Sequence, residues 1–183
     1  MSYDFVLFRP EDGIDPRAIG ERDEPEIGAR DPAVEAAKRR IADALIAHDP
    51  ALSEHVFDYD EVAKLHKISV AAAYHTFRHI ELSDISDGGS GTQITLFDDH
   101  AAVSVPFWHA HDAAGRAQLQ RVWAYIDVLC EVAGYEVFDP QLDRVITRSA
   151  FDEADERYAQ EAARVRSIAA PVRRRARPWW KFW

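Results

Sequence analysis

The stretch ITLFDDHAAVSVPFW, residues 94–108, limits the fold more than any other part of this chain. Ile94 and Leu96 alternate with Thr95 and Phe97, and beyond a tight turn at Asp98–His100 the alternation resumes with Val103 and Val105. Period-two patterning on both sides of a turn specifies half-buried antiparallel strands with one apolar face. That face has to be covered, and the next segment supplies a cover. Asp112 opens a long helix in which Leu119, Val122, Trp123, Ile126, Leu129 and Ala133 form one apolar stripe, with Gly134 as its natural C-cap.

The other segments extend this layer. YDFVLF, residues 3–8, reads as a largely buried strand, HIELSDI from about His79 as a strand leading into a DGGSG turn, and YEVFDP as a last strand. Asp31 and Pro32 make an N-cap and a first helical position, after which Val34, Ala37, Ile41, Leu45 and His48 keep one helical face until Asp49-Pro50. Residues 60–78 read as two short helices, and SAFDEADERYAQEAARVRSIAA as a charged helix ending at Pro171. Residues 9–31, rich in Asp, Glu, Pro and Gly without a usable period, read as an irregular acidic loop.

This order predicts an α+β fold: a sheet of about four to five strands, antiparallel or mixed, with helices packed on one face and an αα-hairpin at about 60–78. An elaborated ferredoxin-like split is compatible with it. Residues 1–170 are expected to form a single domain, followed by a tail at 171–183.

No apolar run is long enough to cross a bilayer, and MSYDFVLFRPEDG lacks the basic start and long apolar stretch of a secretory signal. The single Cys130 rules out an internal disulfide, which fits a reducing compartment, so the expected location is cytoplasmic. The net charge of −10 is unevenly spread: of 22 Lys and Arg, five (Arg173, Arg174, Arg175, Arg177, Lys181) lie in the last thirteen residues, which hold no acid. The rest therefore carries 17 bases against 32 acids, a net of −15. Such a body favours basic partners and repels phosphate backbones.

DEVAKLHKISVAAAYHTFRHI resembles the helix-turn-helix pattern of bacterial DNA-binding proteins over about 20 residues. Ala63 takes the place of the small packing residue, Ile68 sits at the turn, and SVAAAYHTFR would be the reading helix; Lys67 replaces the usual turn glycine and Thr76 a late apolar position. Phosphate contacts need cations. The reading helix offers only Arg78, plus His75 and His79, on a body of net −15, so a compact αα-hairpin covering the sheet is the competing reading.

Four histidines raise the question of a metal. His75 and His79 share a face if helical, and His109 and His111 share a side if extended. Without H-E-x-x-H, a cysteine pair or a fixed spacing between the two pairs, no metal or cofactor is assigned. GGSG, Gly88 to Gly91, lacks the lysine of a phosphate-binding loop and reads as a hairpin turn. Cys130 lies on the Leu129 side of its helix as a packing thiol. Asp98-Asp99 is an ordinary turn pair, and Asp139 in FDPQ caps a turn with Pro140. Nothing assembles a nucleophile, base and oxyanion donor, so the expectation is a protein that is not an enzyme.

MSYDFVLFRPEDG is similar to the start of small bacterial proteins of the toxin-immunity type, which often begin Met-Ser-Tyr-Asp before an apolar strand. GYEVFDPQLDRVI, with the amphipathic helix before it, resembles their closing strand. The matches cover about a third of the chain. They imply an acidic, non-enzymatic inhibitor that occludes a cognate toxin, with a basic toxin domain as partner. The tail RRRARPWWKFW allows three roles. Arg173, Arg174, Arg175 and Arg177 could lie on the protein's own acidic surface while Trp179, Trp180 and Trp183 fill a groove; the segment could sit on an anionic membrane; or it could dock into a partner.

Overall fold

The alternation through residues 94–106 becomes the middle of a seven-stranded sheet in the computed structural model, which describes residues 2–10, 15–21, 31–84, 89–107 and 113–169. The strands are β1 (Ser2–Phe8), β2 (Ser53–His55), β3 (Ile80–Ser83), β4 (Gln93–Leu96), β5 (His100–Pro106), β6 (Glu136–Asp139) and β7 (Arg144–Ile146). The helices are α1 (Pro32–His48), α2 (Tyr59–His66), α3 (Val70–Thr76), α4 (Ala113–Ala133) and α5 (Phe151–Ala169). The sheet order is β2-β3-β4-β5-β1-β6-β7, and every neighbouring pair is antiparallel. The α+β class is thus as expected. The sheet is larger than the four to five strands expected because β2 and β7 are three-residue edge strands, too short to show an alternation.

The central hairpin turns as its pattern demands: the Phe97 N–H donates to the His100 carbonyl at 2.9 Å, and Ile94 pairs with Val103. One face of the sheet, carrying Tyr3, Phe5, Leu82, Ile94, Leu96 and Val103, is buried in a single core with Ile41 and Leu45 of α1, Leu119, Val122 and Leu129 of α4, and Tyr158 of α5. Helix α1 starts where Asp31 accepts from the Ala33 N–H at 2.8 Å, and ends at Asp49. Gly134, at φ +69, closes α4 by donating to the Cys130 carbonyl at 3.0 Å. Trp123 wedges edge-on between Phe5 and Phe151 and donates its indole N–H to the Arg148 carbonyl.

The opposite face is covered locally. Val6, Phe8 and Phe138 pack under Ile19, which sits in a 3-10 turn at Pro16–Glu21 within the stretch expected to be wholly irregular. Arg17 ties that turn to Asp143 at 2.6 Å. Among the described residues no helix is long and apolar enough to cross a membrane.

Three polar clusters lie inside this frame. Lys38, 2% exposed on the inner stripe of α1, holds Asp98 at 2.7 Å and Glu35 at 2.9 Å and donates to the Arg78 carbonyl. Arg121 bridges Asp49 at 2.6 Å and Asp84 at 2.7 Å, while the Tyr125 hydroxyl also donates to Asp49 at 2.6 Å. The guanidinium and that hydroxyl hold the Asp49 carboxyl at about 2, below its ordinary range. Asp139 accepts from the Gln141 and Leu142 N–H groups and from the Tyr3 hydroxyl at 2.6 Å, so it caps the turn after β6 as its sequence context indicated. Burial pushes both the Asp139 carboxyl and the Tyr3 phenol up.

Candidate docking site on the helical hairpin

The segment between β2 and β3 builds a surface unlike the rest. Asp58 caps α2 by accepting from the Asp60 and Glu61 N–H groups, each at 3.0 Å. The helix stops at Lys67, which takes a left-handed conformation (φ 56, ψ 42), and the Ile68 N–H folds back onto the Ala63 carbonyl at 3.1 Å. Ser69 then caps α3, accepting from the Ala72 N–H at 3.1 Å. Buried Ala63 and Ala73 are small enough to let the two helices approach closely.

An aromatic cluster fixes this hairpin to the end of the sheet. Phe57 lies 4.7 Å from the His55 ring, 5.1 Å from His79 and 5.6 Å from Phe77, centroid to centroid. Tyr59 meets Tyr74 edge-on at 5.1 Å, and Phe97 stacks on His100 at 4.3 Å. The Phe and Tyr rings are half-buried, whereas several aliphatic side chains of the same segment are left in solvent. Among the described residues six large hydrophobic side chains are exposed, and four of them, Val56 (81%), Leu65 (74%), Ile68 and Val70, fall within residues 56–70. Their concentration in fifteen residues separates a patch from scattered surface apolar groups.

Two clefts flank the Val56–Phe57 ridge. One, of about 520 Å³, lies against Val56, Val62 and Leu65 with Asp58 and Glu61 beside them. The other, of about 400 Å³, is walled by Phe57, Tyr59 and Tyr74 together with Glu54 and Glu35. Its guanidiniums are engaged: Arg39 grips Glu54 through two bonds of 2.6 and 2.7 Å, and Arg78 holds Asp98 at 2.7 Å.

This geometry redraws several sequence expectations. The hairpin exists, but α3 ends at Thr76, so His79 lies beyond the helix and does not share a helical face with His75. His79 instead packs among Phe57, Phe77 and Phe97, with Glu81 at 4.0 Å. His109 and His111 lie outside the described residues, as do Gly88 and the tail residues Arg173, Arg174, Arg175, Arg177, Trp179, Trp180 and Trp183. Among the described residues no group of three or more His, Cys, Asp or Glu could hold a metal. Asp98 and Asp99 part ways, Asp98 toward Lys38 and Arg78 and Asp99 toward His100 at 2.7 Å. Cys130 is half-buried, and burial pushes its thiol up, away from the reactive range. The exposed patch itself escaped sequence reading. Val56 precedes α2, Leu65 lies on α2 and Val70 opens α3, so the three have no shared period that a sequence could display.

No protein-family model matches the chain, and neither a curated protein nor a solved structure matches it.

Proposed function

We propose that this chain is a non-enzymatic protein-binding module that works by covering a partner, with the helical hairpin as its docking element. The carrying observation is the cluster of Val56, Leu65, Ile68 and Val70, left exposed on a hairpin that is tied to the end of the sheet through Phe57, Phe77 and the rings of His55 and His79. Covering such side chains is worth about 1–2 kcal/mol apiece, enough for a few of them to dominate an interface. The strand order supports treating the hairpin as an addition to a frame. Strands β4-β5-β1-β6, crossed by α1 and α4, follow a ferredoxin-like split, and β2, α2, α3 and β3 are inserted between α1 and β4. Function is commonly carried on such insertions.

Within this reading the chain acts as an acidic, cytoplasmic antagonist of a cognate toxin. Its net charge of −10 favours association with a basic partner. The test is co-expression with the product of the adjacent gene. The pair should co-purify and growth should be rescued, and Leu65→Glu with Val70→Glu should abolish both. A neighbourhood without a secreted toxin, or rescue untouched by the double substitution, would sink the proposal.

A DNA-binding role is the second reading, favoured by the left-handed turn at Lys67 and the Ser69 cap, which reproduce a helix-turn-helix outline. Its chemistry is poor. The start of α3 presents exposed Val70 and Ala71, and Arg78, the one arginine of the reading helix, is engaged by Asp98. We expect no gel shift at low salt; a shift that Arg78→Glu abolishes would reverse this ranking.

A further inference from the structure

Helix α5 changes character along its length. From Phe151 to Glu161 it carries Asp152, Glu153, Asp155, Glu156 and Glu161 against a single Arg157. Beyond Glu161 no acid follows as far as residue 183, while seven cations do, Arg164 and Arg166 on the helix and five more between Arg173 and Lys181. All 32 acids of the chain therefore lie in residues 1–161. Glu161 is shared by Arg157 at 2.9 Å and Arg164 at 3.8 Å, and one carboxylate does not balance the cations that follow.

Packing changes at the same point. Ala162 is buried, and from Ala163 to Ile168 every side chain is exposed except half-buried Val165. Ile168 is 70% exposed, and among the described residues only it and Val145 are large exposed hydrophobic side chains outside the hairpin segment. The helix also runs away from the hairpin. Phe151 shares Trp123 with Phe5 in the middle of β1, while Tyr158 meets Tyr3 and donates to the Pro106 carbonyl, opposite Ser2. The hairpin stands at the other end of the sheet, where β3 begins beside Leu96 and, through Ala101, Leu7.

We propose that the segment from Arg164 to Trp183 binds the surface of an anionic lipid bilayer and holds the domain there peripherally. Its arginines and lysine meet the headgroup charge, Trp179, Trp180, Phe182 and Trp183 settle at the boundary of headgroup and acyl chain, and Ile168 adds an aliphatic contact. Other anions fit less well. Nucleic acid uses cations and rings but has no use for an exposed Ile168. The protein's own carboxylates at the start of α5 are taken: Arg116 holds Asp152 and Asp155, and Arg144 holds Glu153. Nor does the acidic body bar the approach. The seven helical residues beyond Ala162 span about 10 Å, and charge is largely screened beyond about 8 Å at physiological salt. The hairpin, at the far end of the sheet, keeps its docking role whether or not the domain sits on lipid.

The test is co-sedimentation of the full-length protein with vesicles of phosphatidylcholine alone and of phosphatidylcholine and phosphatidylglycerol in equal parts. Binding to the anionic vesicles should be at least about ten-fold tighter and should weaken as salt is raised. Replacing Arg173, Arg174 and Arg175 by Glu, or Trp179, Trp180 and Trp183 by Ser, should each weaken it at least about ten-fold, and Ile168→Ser about two- to five-fold. Leu65→Glu, on the hairpin, should leave it unchanged. Melting curves by circular dichroism verify that each variant is folded; the solvated position of Ile168 makes its substitution compatible with folding.

Equal pelleting with both vesicle types overturns the assignment to anionic lipid. Binding that survives loss of the three tryptophans reduces the effect to general electrostatics and overturns the interfacial role. Failure to pellet with either composition overturns the proposal. A fall in Tm on removing the tryptophans then assigns the segment to the protein's own surface, and binding of a labelled single-stranded oligonucleotide assigns it to nucleic acid. None of these outcomes touches the hairpin reading, which stands or falls on Leu65-dependent co-purification.

Discussion

Replacing Arg121 by methionine tests how this protein supports charge inside its frame. The guanidinium joins α4 to the C-cap of α1 through Asp49 at 2.6 Å and to the end of β3 through Asp84 at 2.7 Å. Methionine keeps most of the stem volume and removes the charge, so Asp49 and Asp84 lose the cation between them. Breaking one side of a buried ion pair costs about 3–5 kcal/mol. Arg121 is about a third exposed and Asp49 a fifth, so solvent screens part of that, and we expect about 2–3 kcal/mol at neutral pH. For a chain of this size that lowers Tm by about 5–10 °C.

The loss should depend on pH in a defined direction. In the folded protein the Asp49 carboxyl titrates at about 2, below its ordinary value. A depressed carboxyl contributes stability that is fully present above its unfolded value near 4 and disappears as pH falls toward 2. Wild-type and Arg121→Met unfolding free energies, measured by urea titration from pH 7 to pH 2.5, should therefore converge on the acid side. Adding Asp84→Asn to the Arg121→Met variant should recover about 1 kcal/mol at neutral pH by removing a carboxylate that is only 4% exposed. A destabilisation that stays constant down to pH 2.5, with no recovery from Asp84→Asn, would refute the reasoning.

Other substitutions follow from single contacts. Tyr3→Phe removes the hydroxyl that donates to buried Asp139 while two backbone N–H groups remain, and should cost about 1–2 kcal/mol in the same titration. Lys67→Gly relieves a left-handed residue at the hairpin turn and should raise stability by about 0.5–1 kcal/mol. Gly134→Ala should cost about 1 kcal/mol through backbone strain alone, because φ is +69 and an added Cβ meets nothing within 4 Å. Lys38→Met should cost about 1–2 kcal/mol rather than more, since Asp98 keeps Arg78 at 2.7 Å; a larger loss would show that Arg78 moves with it.

The sequence by itself determined the elements whose identity is written in neighbouring residues. The Asp31-Pro32 start of α1, the alternation of Ile94 to Val105, the α4 stripe with its Gly134 stop and the Asp139 cap are local: each depends on a period or a capping group within a few positions. The hairpin was legible as two short helices at about 60–78, which the structure draws as Tyr59–His66 and Val70–Thr76.

Tertiary structure decided the rest. Strands β2 and β7 exist because a neighbour offers three residues of backbone to pair with, which no side-chain pattern announces. Lys38 is buried only because Asp98 and Glu35, brought from the β4–β5 turn and the preceding helical turn, compensate its charge. Arg78, a potential phosphate contact when read alone, faces the same Asp98 once α3 stops at Thr76. The docking patch is the clearest case. Whether Val56, Leu65 and Val70 are covered or exposed depends on which side of the hairpin the rings of Phe57, Phe77 and Phe97 occupy, and only packing settles that choice.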